Sequence, residues 1–84
     1  MSVFHRYKRM AQTAEEYAEA ERLRLILKAA RKELGYTQAD VAEKLGIEQS
    51  GYSIIERDFM YTSGYKQKKI CEILGLEWPE ILKE

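Results

Sequence analysis

The chain of 84 residues has little of what most enzyme chemistry and most special folds require. It contains one cysteine, Cys71, so no internal disulfide can form and no thiolate cluster can hold a metal. Cys71 lies in the apolar run Ile70-Cys-Glu-Ile-Leu74, where a small buried residue is expected rather than a redox group. Its one histidine, His5, stands near the N-terminus and makes a poor ligand alone, so neither a metal nor a cofactor is expected. No Asp/Glu pair has a recognisable catalytic spacing and no nucleophile-base constellation is visible, which argues against an enzyme. The glycines Gly35, Gly46, Gly51, Gly64 and Gly75 are scattered as helix punctuation and do not gather into a phosphate loop. No apolar run approaches the roughly 20 residues of a membrane span. The charged N-terminus also lacks the apolar stretch of a secretory signal, so a non-membrane protein is expected, cytoplasmic, or nuclear-type if its source has a nucleus. Scarce Gly, a single Pro and long stretches without a breaker point to one all-α domain with a small core.

No charge of one sign predominates: 14 Lys and Arg balance 14 Asp and Glu. The distribution matters more than the sum. Arg6, Lys8 and Arg9 make the first residues basic, and Glu15, Glu16, Glu19 and Glu21 form an acidic block. Arg22, Arg24, Lys28, Arg31 and Lys32 are basic again, Lys66, Lys68 and Lys69 form a third basic cluster, and the remaining acids gather largely after Glu72. A basic face with an acidic back is compatible with that order.

Residues 1–12 read as an arm without periodicity, and residues 13–84 as the domain. Thr13-Ala-Glu-Glu16 matches a capping box that opens an extended first helix. Leu23, Ile26, Leu27, Ala30 and Leu34 supply its apolar stripe, and Gly35 ends it. Its polar front, Glu15 to Glu21, is either a solvated extension or a dimer or partner contact. Thr37 caps a second helix running to about Leu45, and a third spans about Gln49 to Arg57. Asp58 to Gly64 reads as an oddly apolar loop, Tyr65 to Leu74 as a fourth helix, and Trp78-Pro79 as the opening of a short fifth.

What the sequence does have is a strong pattern between Gln38 and Glu56. Val41 and Leu45 share one helical face, as do Tyr52 and Ile55, while Ala42 is small where the two helices would cross. Gly46 permits the left-handed turn between them. This is the pattern of a helix-turn-helix, with the segment 38–56 as the motif.

From Leu23 to Leu82 the chain resembles the Cro/lambda-repressor-like (Xre-type) helix-turn-helix family. Four blocks in register carry the resemblance: Arg31-Lys-Glu-Leu-Gly35-Tyr36-Thr37-Gln38, Ala42-Glu-Lys-Leu45-Gly46-Ile47, Tyr52-Ser53-Ile54-Ile55-Glu56 and Ile70-Cys-Glu-Ile-Leu74-Gly75-Leu76. The resemblance implies a five-helix DNA-binding domain and a structural pair between Arg31 and Glu56. It also implies a sequence-specific transcriptional regulator, of prokaryotic or phage repressor type, binding a double-stranded operator as a homodimer. The third helix would present Gln49, Ser50, Gly51 and Ser53 to the major groove. Gln38 would hold a phosphate and buttress the third-helix side chain, the helix starts at Thr37 and Gln49 would offer N–H groups to phosphates, and Lys66, Lys68 and Lys69 would clamp the backbone. Arg6, Lys8 and Arg9 would either reach along the DNA or form a solvated tail.

Several residues depart from the family's pattern. Gly51 stands inside the third helix, Ile54 takes an outward position usually polar or basic, and no Arg or Lys lies between Ile47 and Glu56. Gln67 stands where the family buries a Leu, and Phe59, Met60 and Tyr61 replace polar loop residues. These departures keep a second reading open: an antitoxin-like or modulating module that docks a regulatory partner protein through Ile54, Phe59, Met60 and Tyr61, with weak or no DNA binding of its own, the alternative being that at least one of Phe59 and Tyr61 folds back onto the core.

Overall fold

A computed structural model of the protein describes residues 13–83. Among them the chain forms α1 (Ala14–Glu33), α2 (Gln38–Leu45), α3 (Gln49–Arg57) and α4 (Gly64–Leu74), with 3-10 turns at Phe59–Tyr61 and Glu80–Leu82 and no strand. The N-terminal arm, with Arg6, Lys8 and Arg9, lies outside the described residues.

Each helix begins and ends for a local chemical reason. The Thr13 hydroxyl accepts the Glu16 N–H at 3.0 Å, and the Glu16 carboxylate accepts the Thr13 N–H at 3.3 Å. This box satisfies two of the N–H groups left without helical partners at the start of α1. Thr37 and Asp40 repeat the arrangement at α2, at 3.1 and 2.8 Å. Gly46 closes α2 with φ of 76°, in the left-handed region that favours glycine, and so allows the sharp turn into α3.

α1 buries Leu23, Leu27 and Arg31, four residues apart along one face. Against it pack Val41 and Ala42 of α2, Tyr52 of α3, and Ile70, Cys71 and Leu74 of α4, all buried. Burial pushes the Cys71 thiol up to about 11, which suits a core residue. The front of α1, Thr13 to Ala18, is exposed. Leu34 does not complete the apolar stripe: it is the C-cap and is exposed, because the helix ends before its side chain meets a neighbour.

Two expectations are corrected. No fifth α-helix follows Pro79. Glu80–Leu82 makes one 3-10 turn, held by Leu82 N–H to Pro79 O and Lys83 N–H to Glu80 O, and Lys83 is then extended. A single turn suffices to lay Trp78, Ile81 and Leu82 on the core, whereas helix nucleation costs more than so short a segment returns. Arg22 fastens this turn to α1 by donating to the Ile81 carbonyl at 2.9 Å.

The segment after α3 is likewise not an open loop with an apolar patch. Phe59 is fully buried and Met60 packs half-buried against the core, so neither belongs to a surface patch with Ile54 and Tyr61. The driving force is apolar burial of the aromatic ring. The Phe59 carbonyl is doubly satisfied there, by the Thr62 N–H at 3.0 Å and by Gln67. The buried Gln67 amide donates to the Phe59 carbonyl at 2.9 Å, and its carbonyl accepts the Trp78 indole N–H at 3.1 Å. One side chain therefore joins the turn after α3, α4 and the C-terminal turn, which a leucine cannot do.

Candidate nucleic-acid interface

The site is organised around Glu56, near the end of α3. Its carboxylate accepts Arg31 Nε at 2.9 Å and Nη2 at 3.3 Å from α1, Gln38 Nε2 at 2.8 Å from α2, and the Tyr52 hydroxyl at 3.0 Å from its own helix. Arg31 Nη1 also donates to the Tyr36 carbonyl at 3.1 Å, bracing the bend before α2. Arg31 is 8% exposed and Glu56 is 4% exposed, so the pair is screened from water. Burial alone would raise the Glu56 carboxyl, but the donors of Arg31, Gln38 and Tyr52 outweigh it and hold it below the usual glutamate range. Burial, with the neighbouring Glu56 charge, pushes the Tyr52 hydroxyl well up and keeps it a donor. The expected Arg31–Glu56 contact is thus present and wider than a pair: four side chains lock α1, α2 and α3 into one geometry.

Gln38 serves within this network. One amide hydrogen is spent on Glu56, so the side chain is a strut between α2 and α3. Thr37 is also engaged, since its N–H donates to Asp40 and its hydroxyl accepts the Asp40 N–H. At the start of α2 the Thr37 and Asp40 N–H groups thus have side-chain partners, and the Asp40 carboxyl is held below its ordinary range chiefly by the Thr37 backbone donor. The start of α3 differs. Glu48 is its N-cap and makes no side-chain cap, leaving the first-turn N–H groups directed along the helix axis without a side-chain partner.

The exposed face of α3 consists of Gln49, Ser50, Ser53, Ile54 and Arg57, a strip at three- and four-residue spacing beside the half-buried Gly51. Next to it, where α1, α2 and α3 meet, lies an open cleft of about 330 Å³ lined by Arg24, Gln38, Ser53, Glu56 and Arg57. The structure therefore brings Gln38 and Ser53 together and adds two guanidinium groups that the sequence alone did not assign to the site. Arg24 is bonded to Glu21 at 3.1 and 2.6 Å, and Arg57 to Asp58 at 3.2 Å. A signal for Arg24 existed: it precedes Arg31 by seven residues, two helical turns on one face.

Lys66, Lys68 and Lys69 are exposed on the first turns of α4. Lys66 and Lys69 border a separate apolar groove of about 230 Å³ with Leu45, Ile47, Ile55 and Tyr65, and Lys69 lies 5.8 Å from the centre of the Tyr65 ring. They are not part of the cleft lined by Arg24 and Arg57.

Two helices joined by a left-handed glycine, the second carrying an exposed and mostly polar strip, the first bonded to it through Gln38 and Glu56, and both braced on α1 by the buried Arg31–Glu56 ion pair, define a helix-turn-helix protein. The Helix-turn-helix family model matches residues 27–81. The chain belongs to this family in its Cro/CI-type, Xre-like form, a family of DNA-binding regulatory domains. No solved structure matches the chain. Among the described residues no helix is long and apolar enough to cross a membrane.

Proposed function

We propose that the protein is a sequence-specific transcriptional regulator of prokaryotic or phage repressor type that reads operator DNA with α3. The observation that carries this reading is the Glu56 network, which presents the α3 strip rigidly beside the Arg24 and Arg57 cleft. Gln49, Ser50 and Ser53 supply donors and acceptors for base edges, and Gln pairs well with adenine N6 and N7. Arg24 and Arg57 have the planar, always-charged heads suited to phosphate oxygens. Lys66, Lys68 and Lys69 add positive charge at the start of α4, and Arg6, Lys8 and Arg9 add it through the arm. One α3 helix makes few base contacts, so the protein acts as a homodimer on two half-sites about one helical turn apart.

The partner-docking reading has less support than the sequence offered it. Burial of Phe59 removes its phenyl ring from the apolar patch, leaving Ile54 and Tyr61 as its exposed members.

The test is binding selection with the full chain on a random-sequence duplex library, followed by titration of the enriched duplex over a range of salt. A two-fold symmetric site should emerge, with affinity falling steeply as salt rises. Replacing both Arg24 and Arg57 by Ala should flatten the slope of log K against log salt by about 0.9 for each phosphate no longer neutralised. No enrichment would remove the regulator reading. An unchanged slope would remove the two arginines from the interface.

A further inference from the structure

Two neighbouring residues of α3, one exposed and one half-buried at the edge of the exposed strip, carry a stability cost that nothing inside the protein explains. Gly51 lies within the helix, where Gly is less stable than Ala, and it does not adopt a positive φ. A Cβ built there would meet only the Ile47 Cδ1 atom, at 3.8 Å, which is ordinary contact, so internal packing does not require glycine. Ile54, three residues on, is 52% exposed, and a β-branched side chain gives up rotamer freedom in a helix without recovering it through burial. Ile54 lies with Ser50 and Ser53 on the exposed strip, and the half-buried Gly51, one turn earlier, borders Ile54 on the flank that faces Ile47.

The two costs share one explanation if something external approaches this surface closely. In the major groove, A, G and C present only hydrogen-bonding groups to a side chain, whereas thymine also presents a C5-methyl group. An isoleucine has no donor or acceptor, so that methyl is the one base feature it can recognise favourably. A residue without a Cβ at position 51 lets the α3 backbone lie nearer the base edges, which brings the branched Ile54 side chain within reach. The lack of Arg and Lys from Glu48 to Ile55 fits the same picture, since a guanine-reading residue is missing where an apolar one is present.

We propose that Ile54 is a specificity-determining residue that selects thymine through its C5-methyl group, with Gly51 permitting the approach. This rests on the DNA-reading function proposed above and specifies one base class within the operator.

The experiment uses the full chain and the duplex enriched by binding selection. Each thymine is replaced in turn by deoxyuridine, which deletes the methyl and leaves every hydrogen-bonding group in place. At one thymine in each half-site the replacement should weaken binding about fourfold, the effect of withdrawing one buried methyl. In Ile54→Ala the same replacement should cost nothing, and its thermal unfolding should be no lower than that of wild type, because the side chain is exposed and Ala is the better helix former. In Gly51→Ala the deoxyuridine penalty should shrink while the helix remains folded. Enrichment of a site in which deoxyuridine is harmless at every thymine would overturn the proposal alone, as would an equal penalty in Ile54→Ala. If no sequence is enriched, the DNA reading falls and this proposal with it, and the exposed isoleucine then belongs to a protein contact.

Discussion

Replacing Arg31 by Met tests whether the Glu56 network holds the three helices of the site together. The variant keeps much of the side chain's apolar length and deletes the guanidinium, withdrawing two of the four donors to Glu56 and the brace on the Tyr36 carbonyl. Gln38 and Tyr52 still donate, but they bring no positive charge. Breaking a buried ion pair by removing one partner typically costs about 3–5 kcal/mol, and the two surviving donors place this case at about 3 kcal/mol. For a domain of this size each kcal/mol is worth about 4–8 °C, so the melting temperature should fall by roughly 12–24 °C at neutral pH. Thermal unfolding followed by circular dichroism measures it directly.

The pH dependence supplies a sharper check. In the wild type the Glu56 carboxyl is held below its ordinary value, so its contribution is present at neutral pH and fades as pH falls through the folded value. Without Arg31, burial wins and the folded value rises above the ordinary one. The variant's penalty is then greatest at neutral pH and shrinks as acid protonates the orphaned carboxyl. The gap between the two proteins should therefore narrow from pH 7 to pH 4. Arg31→Met combined with Glu56→Met should recover much of the loss, because no buried charge remains. An unchanged melting temperature, a gap of equal size at both pH values, or a double variant no more stable than the single would refute the reasoning.

Two further substitutions probe the departures from the family's pattern. Gln67→Leu should destabilise by about 1 kcal/mol despite adding apolar surface, because it leaves the half-buried Trp78 indole N–H without its partner and takes from the Phe59 carbonyl one of its two donors, the Thr62 N–H remaining. Urea unfolding followed by Trp78 fluorescence measures this, and equal or greater stability would mean the bridge contributes nothing. Gly51→Ala should raise stability in the same urea assay by about 1 kcal/mol, since the new methyl meets only ordinary contact; a loss of stability would show an internal need for glycine.

Much of the fold is legible along the chain because its signals are local. The capping box at Thr13, the N-cap at Thr37, the turn at Gly46 and the inward positions Val41, Ala42 and Tyr52 each depend on residues within a few positions of one another. The Arg31–Glu56 pair is not local, and family resemblance rather than spacing points to it. The C-terminal turn resembles a fifth helix in sequence because Pro79 suits a helix start equally well in one turn or several. Phe59 is ambiguous because an aromatic residue after a helix looks the same in sequence whether it covers a core or projects from it.

The helices, their ends, the motif between Gln38 and Glu56 and the membership that motif conveys are all written in the order of residues, since periodicity and capping act within a turn or two. Other features follow from the packing of the helices against one another: Gln38 binds Glu56, Gln67 bridges Phe59 and Trp78, and Arg24 and Arg57 border one cleft. Those groupings join residues from 8 to 33 positions apart. Which side chains meet across such distances depends on how the helices cross, and no local pattern specifies that.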